Sequence, residues 1–119
     1  MHAYKAIALE YFNKLLNEKD ISICDKLLSD DYKDSDAPEG TSPGPKEPKE
    51  YVSNFIRTYP DIEVTVKDVI TEGNKVALRI VWHGTNKETG EKFHKMGNII
   101  LIFNDKGQIR QRWSAYVDL

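Results

Sequence analysis

At Asp61 the apolar residues of this 119-residue chain change their period from about 3.6 to about two, and that switch limits the fold more than any other feature. Before it, Tyr4, Ala8, Tyr11, Phe12, Leu15 and Leu16 recur at helical spacing, with Lys5, Asn13, Lys14 and Asn17 on the opposite side. Asp20 reads as the N-cap of a shorter second helix that buries Ile23, Cys24, Leu27 and Leu28. Ser35–Pro48 holds four of the five prolines and reads as a loop. A third helix follows, with Pro48 in its first turn, an apolar stripe of Tyr51, Val52, Phe55, Ile56 and Tyr59, and Pro60 as its stop.

After Asp61, Ile62, Val64 and Val66 alternate with polar residues, and Val76, Leu78, Ile80 and Trp82 do the same beyond a turn at Gly73. Asn86–Gly90 and Asn104–Gly107 make the next two turns. Helices first and strands afterwards predict one α+β domain over residues 1–119: three N-terminal helices packed on an antiparallel four-stranded meander. The run Asn98–Phe103 is apolar on both faces, although a sheet with helices on one side should alternate there. A second copy of the chain is the natural cover, so a homodimer is expected.

A net charge of −2 argues against nucleic acid as a partner, and Arg79, Arg110 and Arg112 read as solvated strand positions. Cys24 has no partner for a disulfide and reads as a small core hydrophobe. The start of the chain lacks the charge-then-apolar order of a signal peptide. No apolar run approaches the ~20 residues of a membrane span, so the expectation is a soluble, cytoplasmic protein. His2, His83 and His94 are too scattered for a metal site.

The chain resembles the SnoaL-like polyketide cyclase family, within the superfamily of cone-shaped folds that includes nuclear transport factor 2 and ketosteroid isomerase. The resemblance rests on Asp30–Asp36 (DDYKDSD), PGP at Pro43–Pro45, YPD at Tyr59–Asp61, and then VALRIVWHGT, TGEKFHKMGNIILIF and GQIRQRW in family order. It implies a strongly curved sheet enclosing a conical pocket for a small hydrophobic molecule. It also implies acid/base chemistry beside a carbonyl, of the cyclase or isomerase type, without metal or organic cofactor. The alternative is a non-catalytic homodimeric binding module of the same fold.

By the same resemblance the acid/base role falls to Asp118, late in the last strand, or to Asp36, where Ser35 precedes it in place of the family's usual histidine. Tyr32, Trp82 and Trp113 are the expected pocket walls, with His94, Asn98 and Tyr116 as further lining residues. Strand parity bears on Asp118. A regular last strand turns Ile109, Gln111, Trp113, Ala115 and Val117 toward the helices and Asp118 away from them. A bulge after Trp113 would instead swing Tyr116 and Asp118 inward, as W-x-x-Y-x-D in epoxide-hydrolase and isomerase relatives implies.

Overall fold

A computed structural model describes residues 3–119; His2 lies outside them. The helices are α1 (Tyr4–Phe12), continued by a π-helical turn over Asn13–Asn17, α2 (Ile23–Leu27) and α3 (Lys46–Thr58). The strands are β1 (Leu28–Asp34), β2 (Glu63–Glu72), β3 (Lys75–Thr85), β4 (Lys92–Phe103) and β5 (Ile109–Asp118). They form one sheet in the order β1-β5-β4-β3-β2. The meander of β2 to β5 is antiparallel as expected, but the sheet has five strands, because β1 adds to β5 in parallel. Within β1 (LSDDYKD) only Leu28, Ser29 and Tyr32 are buried, so no period of two announces the strand. Leu28, expected in the second helix, is its first residue.

The helices pack on one face of the sheet. Tyr11, Phe12 and Leu15 meet Ile62, Val76, Leu78, Ile80, Ile99, Leu101, Phe103 and Ile109 in a core where each side chain is nearly or wholly buried. Each such burial is worth about 1.5–3 kcal/mol against exposure. Cys24 belongs to this core, and burial pushes its thiol up to about 11.

Three polar side chains hold the ends of the elements. Asn17, expected on the solvated side of the first helix, instead acts as a strand partner for Val64. Its Nδ2 donates to Val64 O (3.0 Å) and its Oδ1 accepts from Val64 N (2.8 Å), which docks the end of the π-turn on edge strand β2. Asp20 organises the turn before α2 by accepting from the Ser22 backbone N–H and hydroxyl, while Ser22 itself is the N-cap. Asp61, in the YPD segment, accepts from Thr85 N at 2.7 Å. That backbone hydrogen bond holds its carboxyl below the usual aspartate value.

Helix α3 differs from α1. Its apolar stripe is real, yet no residue of α3 is buried; Val52, Phe55, Ile56 and Tyr59 are half-buried and Tyr51 is exposed. Phe55 and Tyr59 reach the sheet through Phe93, at ring-centroid distances of 5.8 and 4.8 Å. Gly84 permits this approach, because a Cβ there would lie 2.8 Å from the Phe93 ring and 3.2 Å from Tyr59 Cβ. The apolar side of this amphipathic helix thus stays half-open.

Candidate functional site

The face that β5 turns toward the helices is set by one extra residue. Phe103 pairs with Ile109 and Ile102 with Gln111, so Arg110 is a β-bulge and every later side chain changes face. Opposite the buried Leu101, Ile99 and Gly97 stand Arg112, Ser114 and Tyr116, on the helix side. Gln111, Trp113, Ala115 and Val117 turn away. The regular-strand expectation is therefore reversed, and the bulge lies before Trp113 rather than after it.

Arg112 is the centre of the arrangement, partly buried rather than on a solvated face. Its guanidinium lies 5.6 Å from the centroid of the Phe12 ring. Its Nε donates to Ser114 Oγ at 2.8 Å, and its Nη2 donates to Tyr116 Oη. Burial works against its charge, but the phenols of Tyr116, Tyr32 and Tyr11, together with Asp34, more than offset this. The pKa lies above the ordinary guanidinium value. Tyr11 and Tyr32 are themselves buried, and desolvation drives both phenols well up.

Tyr116 joins this polar group to an aromatic wall. Its ring meets Trp82 edge-on, with centroids 4.7 Å apart and planes at 84°. Tyr116 is 45% exposed while Trp82 is 9% exposed, so the phenol stands toward solvent and the indole inside the fold.

The expected site residues divide between the two faces. Tyr32, Trp82 and Tyr116 meet on the helix side. Asp36 is tied to them through Ser114, whose backbone N–H donates to Asp36 Oδ2 at 2.6 Å. Asp118 shares the parity of Tyr116 but is 84% exposed, beyond the helical cover, with Oδ1 3.6 Å from Lys95 Nζ. His94, Asn98 and Trp113 stand on the far face. There His94 pairs with His83, and Trp113 continues a cross-strand row with Ile100, Ala77 and Ile70. The parity error at Arg110 explains Trp113. For β4, the apolar run on both faces concealed which side was inward.

Arg112, Ser114 and Gly97 were missed as site residues. A glycine inside an otherwise regular strand marks a close approach and could have pointed to Gly97; nothing in the local pattern marks Arg112. Among the described residues no group of three or more His, Cys, Asp or Glu side chains could hold a metal ion. No helix among them is long and apolar enough to cross a membrane.

A groove of about 670 Å³ lies elsewhere, between α2, the start of β1 and α3. Asp25, Asp30, Lys46, Lys49 and Arg57 line it, with Lys49 Nζ 2.7 Å from Asp25 Oδ2. Charges of both signs open to water, without aromatic walls, make it a poor receptor for an apolar molecule.

Among solved structures, TsrD from Streptomyces laurentii superposes with a TM-score of 0.85 at 21% identity, over 98% of this chain and 90% of that one. IdmH from Streptomyces antibioticus gives 0.81 at 22%, over 97% and 92%. A SnoaL-like polyketide cyclase from Agrobacterium tumefaciens gives 0.82 at 16%, over 98% and 93%. At these identities the likeness is one of fold. A search of curated proteins gives no match. The profile of the SnoaL-like polyketide cyclase family matches residues 6–119, from the first turn of α1 through the end of β5. The chain belongs to the SnoaL-like polyketide cyclase family.

Proposed function

We propose that the protein binds a small, largely apolar carbonyl compound in a cleft between α3 and the sheet. The observation that carries this reading is the pairing of the Arg112–Tyr116 donors with the Trp82 ring on the helix side of the sheet. Aromatic rings take up the apolar body of such a ligand, and fixed N–H and O–H groups receive its oxygen. Isothermal titration with acetonaphthone, an uncharged aromatic ketone, tests it. Saturable binding that Tyr116→Ala weakens supports the cleft, and absence of binding contradicts it.

Acid/base catalysis is the second reading, and one observation favours Asp36 over Asp118 for it. Asp36 is held one hydrogen bond from Ser114 and two from Arg112, whereas Asp118 extends into solvent beside Lys95. A base there would take a proton next to the carbonyl while Arg112 and Tyr116 stabilise the enolate oxygen. Deuterium entering the acetyl group of acetonaphthone, followed by NMR, reads this step. Loss of exchange in Asp36→Asn, with exchange intact in Asp118→Asn, is the outcome this reading expects.

The far face supports a homodimer in the same proposal. Ile70 and Trp113 are 69% and 40% exposed and lie in one row with Ile100, an apolar strip of the kind that a second copy covers. A groove of about 420 Å³ beside it is lined by Asp68, Ile70, Arg79, Asn98 and Ile100.

A further inference from the structure

Arg112 is a partly buried cation whose side-chain hydrogen bonds go to neutral hydroxyls. The ion pairs of the described residues all lie elsewhere, and no carboxylate stands within ion-pair distance of this guanidinium. The acids at the end of β1 and just beyond it are engaged by backbone N–H groups. Asp34, its ladder neighbour on β1, accepts from Asp36 N at 2.9 Å, and Asp36 accepts from Ser114 N. The side-chain bonds that Arg112 makes are to the hydroxyl oxygens of Ser114 and Tyr116, which solvate a charge less well than an anion does. Phe12 covers part of it, with its ring centroid 5.6 Å from the guanidinium carbon.

Asp34 supports this charge only from beyond ion-pair distance, and the site is open at Tyr116, so a direct partner can come from outside. We propose that the ligand of this cleft carries a carboxylate, received by the Arg112 fork. This rests on the cleft reading given above and names the ligand's charged end. Tyr116 fits the same role. Its oxygen accepts from Arg112, which leaves its own hydrogen to donate to a carboxylate oxygen beside the guanidinium. The planar fork suits a carboxylate better than it suits a single carbonyl oxygen.

The test compares two ligands of similar size and shape, naphthoate and acetonaphthone, by isothermal titration against the intact chain. Naphthoate is expected to bind at least about tenfold more tightly, the effect of a charge-assisted bond over a neutral one. Its affinity should fall as salt is raised, while that of acetonaphthone stays level. Arg112→Gln should abolish the naphthoate preference, and Arg112→Lys should restore only part of it. Should Arg112→Gln fail to fold, Tyr116→Phe carries the test, with a loss of about threefold or more for naphthoate and less for the ketone. Equal affinities in the unaltered protein would overturn the carboxylate while leaving the cleft intact. Arg112→Gln weakening both ligands alike would make the residue purely structural. Binding of neither ligand would remove the cleft and this inference together.

Discussion

Gly97 stands directly across the β4–β5 ladder from Tyr116, and the Tyr116 ring fills the space where a side chain at Gly97 would be. A Cβ there would lie 2.4 Å from Tyr116 Cδ1 and 3.0 Å from Trp82 Cη2. The Tyr116 ring is the movable partner because it is half-exposed. Gly97→Ala should therefore push Tyr116 off Trp82, cost about 1–3 kcal/mol in urea denaturation, and weaken acetonaphthone binding. Unchanged affinity would place Tyr116 outside the site.

Asn17 should matter out of proportion to its place on a helix end. Asn17→Ala removes both hydrogen bonds to Val64 and leaves a partly buried N–H and C=O without them. The expected loss is about 1–3 kcal/mol, seen as a lower midpoint in urea with an unchanged slope.

Cys24 links stability to alkaline pH. Its thiol pKa is about 11 in the folded protein against about 8.5 for an exposed thiol, so the folded state keeps its proton where the unfolded state has lost it. Stability should be full below about pH 8.5 and fall as pH rises toward 11. The buried phenols of Tyr11 and Tyr32 act in the same direction at higher pH. Cys24→Ala should flatten the earlier part of this fall, measured by chemical denaturation from pH 8 to 10. Iodoacetamide should label Cys24 in the native protein much more slowly than in the unfolded chain.

The far face gives a prediction about assembly. Ile100→Glu puts a charge in the middle of the row formed by Ile70, Ala77, Ile100 and Trp113. Sedimentation velocity should show a dimer for the unaltered chain at micromolar concentration and a monomer for the variant. A monomer in both would remove the dimer.

The meander was legible because Val76, Leu78, Ile80 and Trp82 all face the core and their neighbours do not, a regular alternation that burial imposes on strands. β1 was not legible. Its serine, aspartates and lysine have low strand propensity, and its pairing with β5 is interrupted between Leu28 and Lys33. The site was legible in part. Tyr32 and Trp82 lie where their apolar settings put them, but one bulged arginine, Arg110, exchanged the two faces of β5 and moved Trp113 out and Arg112 in. A single inserted residue leaves composition and period nearly unchanged on either side. Only the ladder partners Phe103–Ile109 and Ile102–Gln111 reveal it.

The claim that the helix side of β5 is the ligand side is tested most directly by the two tryptophans, which lie on opposite faces. Trp113→Phe leaves Trp82 as the reporter on the helix side, and Trp82→Phe leaves Trp113 on the far face. Titration with acetonaphthone should quench fluorescence saturably in Trp113→Phe and leave it nearly unchanged in Trp82→Phe once the ketone's own absorbance is corrected for. Quenching confined to Trp82→Phe would place the ligand on the far face and contradict the account.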